Sequence, residues 1–221
     1  MDLQDLKEKT IRNELKISDS FDSILVFIDF ANVNYWFEED EYDEKNKILP
    51  PDKKLNIDIK KLKEFSSIFT SDIRFYYGHD PVNIKSLGFL MATKKVFGKS
   101  NVFTKPIQKI RHYITEQETI SNTRTLEHDI KGDFIRIPKC NFDVEICVDA
   151  IKLLEKYDTF CLFSNDADFV HLVRFLKKKG KKVILVKGGY IHHSLHKVSD
   201  LIINAQDIKK YITIIKQKPG Y

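Results

Sequence analysis

Three short runs in this chain are apolar almost without interruption: residues 24–28 (Ile-Leu-Val-Phe-Ile), 159–163 (Thr-Phe-Cys-Leu-Phe) and 182–186 (Lys-Val-Ile-Leu-Val). A strand with one wet face alternates apolar and polar residues. A run with no polar position has to be covered on both faces. Between these runs lie stretches with helical spacing. Residues 57–69 carry Ile59, Leu62, Phe65 and Phe69 on one stripe, and residues 84–97 read the same way. Residues 143–157 place Val144, Cys147, Ile151 and Leu154 together, and residues 166–178 turn Phe169, Val173 and Leu176 inward until Gly180 stops the helix. Residues 73–77 and 101–107 supply further strands, and residues 193–198 and 207–215 are predicted as closing helices. Strands alternating with helices give a mainly parallel sheet in a three-layer α/β/α sandwich, with right-handed crossovers.

Three segments fall outside this alternation. Residues 1–20 form a predicted N-terminal helical extension, with Leu3, Leu6 and Leu15 packing on the outside of a domain at 21–215. Residues 38–56 are charged, contain Pro50-Pro51 and read as a surface loop. Residues 110–137 alternate in strand fashion at Tyr113-Ile114-Thr115 and Phe134–Ile137, with Gly132 between, and are expected to be an antiparallel β insertion.

At 221 residues the chain suits one domain, and no apolar run approaches the ~18 residues of a membrane span. The start, Met1-Asp2-Leu3-Gln4-Asp5, lacks an apolar secretion core. Three cysteines, Cys140, Cys147 and Cys161, make neither a disulfide framework nor a metal spacing, so a cytoplasmic protein with no membrane contact is expected. Lys and Arg (37) exceed Asp and Glu (32), a net charge of +5 that is compatible with a polyanionic partner. The N-terminal segment and the β insertion are candidate surfaces for a homo-oligomer.

Parallel strands point their carboxyl ends to one edge, where ligands of such sheets bind. Asp29 follows the first apolar run there, and Asp166 and Asp168 follow the run at 159–163 in Ser164-Asn165-Asp166-Ala167-Asp168. Asp143 begins the helix that leads into that strand. Carboxylates gathered this way repel one another and call for a hard cation, Mg²⁺ or Mn²⁺. Asp166 and Asp143 also suit helix N-termini, whereas Asp29 has no capping role that Asn32 could not fill. Asp149 lies about 9 Å along the helix from Asp143 and roughly 120° around it. The two cannot face one ion from the same direction, and one of them is left for a second ion, a water or a basic side chain. Among the cations, Lys187, Arg111 and Lys139 are expected near the acidic edge. The dense run Lys177–Lys179 with Lys181 and Lys182 falls at the opposite edge, as a solvated helix end. Tyr35 or Trp36 could stack on a base, and His192-His193 reads as surface loop.

These residues resemble the NYN domain, a branch of the PIN-like nucleases. Phe27-Ile28-Asp29-Phe30-Ala31-Asn32-Val33 looks like its opening motif, and Phe142–Ala150, with aspartates at 143 and 149, looks like its middle motif. Ser164-Asn165-Asp166-Ala167-Asp168-Phe169 is similar to its Ser-Gly-Asp-Ser-Asp-Phe signature. Gly180-Lys181-Lys182-Val183 resembles the stretch after that signature, and Ser194-Leu195 with Asp200 resembles the closing motif. The likeness spans residues 24–205, and the LabA-like bacterial subgroup looks nearest. It implies a PIN-like sandwich and a metal-dependent endoribonuclease that hydrolyses RNA phosphodiester bonds. Carried over residue by residue, it makes Asp29, Asp143 and Asp166 the metal-holding set and Asp149 and Asp168 supporting members. Asn32 would orient Asp29 or touch substrate, and Ser164, Lys139, Lys187 and Arg111 join it as substrate-binding residues. The chain departs from the family at Cys140-Asn141-Phe142, where Lys-Gly is common, at Asn165 in place of glycine, and in the extra segment 110–137. The alternative reading is therefore a weakly active or inactive RNA-binding or regulatory module of the same fold. A haloacid-dehalogenase-type phosphatase needs a second Asp two residues after the first, where this chain has Ala31.

Overall fold

The computed structural model describes residues 3–114 and 126–218. The chain runs α1 (Leu3–Glu14), β1 (Ile24–Asp29), α2 (Phe30–Val33), β2 (Lys53–Ile57), α3 (Ile59–Ser66), β3 (Ile73–His79), α4 (Ile84–Phe97) and β4 (Val102–Pro106). β5 (Gln108–Tyr113), β6 (Glu127–Asp129) and β7 (Gly132–Lys139) follow, then α5 (Asp143–Lys152), β8 (Thr159–Phe163), α6 (Val170–Lys178), β9 (Lys182–Lys187), α7 (His193–Val198), β10 (Leu201–Asn204), α8 (Ala205–Ile212) and β11 (Thr213–Gln217).

Six strands form one parallel sheet in the order β10-β9-β8-β1-β3-β4. Helices cover both faces, which is the PIN-like sandwich. The apolar runs explain why. Leu25 and Phe27 of β1, Phe160 and Leu162 of β8, and Val183 and Leu185 of β9 point to one layer. Ile24, Val26 and Ile28, Cys161 and Phe163, and Ile184 and Val186 point to the other. Every one of these side chains is buried, and burying each large one is worth about 1.5–3 kcal/mol. After β1 the chain builds outward to β3 and β4. It then returns to β1's other side for β8, β9 and β10. The order therefore reverses between β1 and β8, where a crevice opens at the carboxyl edge.

The remaining strands form two small antiparallel sheets, β11-β2 and β5-β7-β6. The second is the expected insertion, running from Gln108 to Lys139 rather than 110 to 137. Thr115 lies outside the described residues. Its sheet closes over Phe134, against which the Arg111 guanidinium sits 4.9 Å from the ring centre.

Several expectations are corrected. Residues 53–56, read as loop, and Ile57, read as the start of a helix, pair with residues 213–217, of which 213–215 read as the end of a helix. The alternation Leu55-Asn56-Ile57 is the strand signal, and both apolar residues are buried. Leu201–Asn204 is an additional parallel strand. α1 docks through Ile11, with Leu15 and Ile17 just after it, while Leu6 faces solvent. On α5 the buried face is Ile146 and Ala150, preceded by Phe142, and Val144 is 71% exposed. The apolar stripe chosen from spacing is thus rotated from the one that packs, because two stripes were available and tertiary contacts selected between them.

Candidate functional site

β1 and β8 lie in register with Ile28 opposite Phe163. The next residues, Asp29 and Ser164, therefore meet at the carboxyl edge of the crevice. The buried Ser164 hydroxyl donates to Asp29 Oδ2 at 3.2 Å and accepts from the Asp166 backbone N–H at 3.2 Å. One hydroxyl thus links the acids of two strands. Asp166 caps the short helical turn Ala167–Phe169 with Oδ1, which accepts from the Asp168 N–H at 3.0 Å. Capping and a functional role do not exclude each other here, since Oδ2 is left over.

Asp143 opens α5, whose N-terminus favours a carboxylate. Asn141 holds it from both sides. Its carbonyl oxygen accepts from the Asp143 N–H at 2.7 Å, and its amide nitrogen donates to Asp143 Oδ2. Carboxylate oxygens of Asp143, Asp166 and Asp168 all lie within 4.8 Å of one another. Asp29 forms the buried wall beside them. Burial pushes its carboxyl up to about 6, against the Ser164 hydrogen bond, and the charges of Asp143 and Asp166 push the same way. Burial also raises Asp143, with Asp166 and Asp168 adding to it. Among the described residues no Lys, Arg or His forms an ion pair with any of the four. Crowded, oxygen-only and uncompensated, this set fits a hard divalent cation.

The structure does not bring Asp149 to the cluster. Its Oδ2 accepts from Tyr76 Oη at 2.7 Å and from the Arg74 guanidinium at 3.1 Å, on the face of β3. Of the alternatives open for the two α5 aspartates, Asp149 takes the basic side chain. Burial and the Asp149 charge hold the Tyr76 phenol far above its ordinary value.

Asn32 acts through two groups. Its backbone N–H acts to lower the Asp29 carboxyl, against the effect of burial. Its side-chain oxygen accepts from Trp36 Nε1 at 2.9 Å and from the Asn165 N–H at 3.3 Å, tying the loops after β1 and β8 together. Asn165, which replaces a glycine of the signature, is not among the residues of positive φ. No left-handed backbone is required there.

The expected cations divide. Arg111 is committed to Asp129 at 2.7 Å within the small sheet. Lys139 ends β7, exposed, four residues before Asp143. Lys187 ends β9, its ammonium donating to the Gly189 carbonyl at 2.6 Å. The lysine run at the far edge is tied down locally: Lys177 pairs with Asp200, and Lys181 with Asp158 at 3.5 Å. Asp200 also accepts from the Val183 N–H at 2.7 Å, so it clamps β9 rather than serving the site. Sequence reasoning missed Asn141, whose signal was a side-chain amide two residues before a helix-opening Asp. It also missed Lys105, which pairs with Glu145 at 2.5 Å and sits over the Phe142 ring at the start of α5. That partner is set by the sheet and has no local signature.

The NYN-domain profile matches residues 23–209. The chain belongs to the NYN family. A solved protein of unknown function from Vibrio parahaemolyticus RIMD 2210633 superimposes with a TM-score of 0.55 at 20% identity, over 88% of this chain and 98% of that one. At that identity the likeness speaks for the fold alone. No curated protein matches the chain. The NYN domain has a PIN-like nuclease fold, and the aspartates lie at its carboxyl edge. Among the described residues no helix is long and apolar enough to cross a membrane.

Proposed function

We propose that this NYN chain is a metal-dependent endoribonuclease that hydrolyses RNA phosphodiester bonds, with Asp29, Asp143 and Asp166 holding Mg²⁺ or Mn²⁺ and Asp168 beside them. The observation that carries the reading is the convergence of the Asp143, Asp166 and Asp168 carboxylates within 4.8 Å, beside buried Asp29, with no ion pair to a cationic side chain among the described residues. A divalent ion bound there supplies Lewis acidity, lowering the pKa of water and offsetting charge on phosphate oxygens. The chain's own residues do the rest. Ser164 fixes the Asp29 carboxylate, Asn141 fixes Asp143, and the Asp168 N–H orients Asp166. Lys139 and Lys187 are assigned to phosphates of the bound strand, and Asn32 to joining the two loops that carry the acids. Asp149 positions α5 through Arg74 and Tyr76. Within the family we assign the chain to the LabA-like branch. Three free thiols suit the reducing cytoplasm.

The test is cleavage of single-stranded and structured RNA with Mn²⁺, with Mg²⁺ and with chelator, beside Asp29→Asn and Asp166→Asn. Metal-dependent cleavage lost in both variants is expected. Cleavage that persists in both places the activity elsewhere, and RNA binding without cleavage favours the binding-module reading.

A further inference from the structure

We infer that a second cleft beside the acidic cluster is a subsite for one unstacked base of single-stranded RNA, with Tyr35 as its stacking platform. The inference rests on the proposed RNA activity and deepens it. The cleft, about 340 Å³, opens between the loops that follow β1, β8 and β9, and is lined by Asn32, Tyr35, Trp36, Asn165, Gly188 and Gly189. Clefts of this size lie at the small end of those that take small ligands.

The two aromatic residues have different jobs. Trp36 is structural: its ring stacks on Phe163 with centres 6.2 Å apart, and its Nε1 donates to Asn32. A Cβ on Gly188 would come within 2.4 Å of the Trp36 ring, so only glycine lets the β9 loop lie against it. Gly189 follows at φ +58°. The back of the cleft is therefore rigid. Tyr35 is 61% exposed at the mouth, and its hydroxyl bonds to no described residue. A firmly backed cleft with a free aromatic face is what base stacking uses.

Polar groups complete the fit. The Asn32 amide nitrogen and the Asn165 side-chain oxygen are unspent among the described residues, because Asn32 uses its oxygen and Asn165 donates its nitrogen to the Tyr190 carbonyl at 3.2 Å. One donor and one acceptor suit the edge of a nucleobase, which carries both. The same two residues border the carboxylates. Asn32 follows Asp29 by three residues on the same turn, and Asn165 sits between Ser164 and Asp166. A base held here keeps its own strand beside the acidic cluster. Lys187, with one ammonium proton on Gly189, has two more for a phosphate. A base inside a duplex is already stacked and paired, so the subsite selects single strands.

The test is fluorescence anisotropy of a labelled single-stranded RNA hexamer in chelator, where turnover is off. Tyr35→Ala should weaken binding roughly 5- to 100-fold, while Tyr35→Phe stays within about twofold, because the ring rather than the hydroxyl acts. An abasic nucleotide moved along the hexamer should weaken wild-type binding by a similar factor at one position and have no further effect there in Tyr35→Ala. Duplex RNA should bind both proteins alike. Unchanged hexamer binding by Tyr35→Ala, an equal loss on duplex, or no binding of the hexamer to the wild type overturns the subsite. The hydrolytic reading fails separately. Tyr35-dependent binding without cleavage sinks hydrolysis and keeps the subsite, whereas Asp166-dependent cleavage with Tyr35-independent binding does the reverse.

Discussion

The two aspartates of α5 sit six residues apart on one helix and live in opposite electrostatic worlds. Asp149 meets an arginine and a phenol on the sheet face, so its charge is matched inside the fold. Asp143 meets Asp166 and Asp168 at the rim, and among the described residues its side-chain hydrogen-bond partner is the neutral Asn141. A compensated carboxylate holds a structure together. An uncompensated group of them costs stability and is kept for what it binds. The same residue type therefore fails differently at the two ends of the helix, and substitution can tell the ends apart.

The sharpest break is in activity. Asp166→Asn should reduce RNA cleavage by at least about 100-fold, the scale of losing one preorganised electrostatic partner, with melting temperature unchanged or raised. Single-turnover cleavage beside a thermal melt checks both halves, and a cleavage defect that merely tracks unfolding would erase the contrast.

At the other end, Asp149→Ala strands the Arg74 guanidinium and the Tyr76 hydroxyl on the sheet face. With both charged side chains about one-fifth exposed, the expected loss is about 2–3 kcal/mol. That is roughly 5–10 °C for a domain of this size, and chemical denaturation measures it. An Asp149→Ala protein as stable as wild type but inactive would move Asp149 into the site.

Proton linkage gives a third handle. Asp29 is raised from 3.8 to about 6 in the folded chain. Between these values the native state holds more protons than the unfolded one, so stability falls as pH rises through this window. By pH 7 the metal-free protein should have lost on the order of 2–3 kcal/mol relative to pH 4 from this group. Asp29→Asn should flatten that slope and stabilise the metal-free protein at pH 7, while saturating Mn²⁺ should flatten it in the wild type. Urea midpoints from pH 4 to 7 test the sign, and a slope of the opposite sign would refute the buried-acid account.

The smallest effect belongs to the lysine run. Lys177→Ala removes a partly exposed ion pair with Asp200, worth within about 1 kcal/mol. RNA affinity should stay within about twofold, since the run lies at the edge away from the acids. A large loss of affinity in a filter-binding assay would extend the nucleic-acid surface across the molecule.

The edge at which the acids of the candidate site gather was legible in the sequence. Asp29 and Asp166 directly follow apolar runs that cannot be half-exposed strands, and parallel strands deliver their carboxyl ends to one edge. Asp166 does cap, through one carboxylate oxygen that accepts from the Asp168 N–H, and it stands in the acidic cluster as well. Asn141 and Lys105 escaped notice. The first is a local amide contact with no rigid spacing, and the second depends on which strand lies beside α5.

What the sequence determined alone is the three strands built on apolar runs, β1, β8 and β9, and with them the layered fold and the edge where the acids collect. That follows from a period of two and the absence of polar positions, which the chain carries locally. Tertiary structure decided the rotation of α5, and so which aspartate faces the cluster and which faces Arg74. It also decided that residues 53–57 pair with 213–217 and that Trp36 is backing while Tyr35 is free. Each of these choices compares local alternatives of similar energy, and only contacts between distant segments separate them.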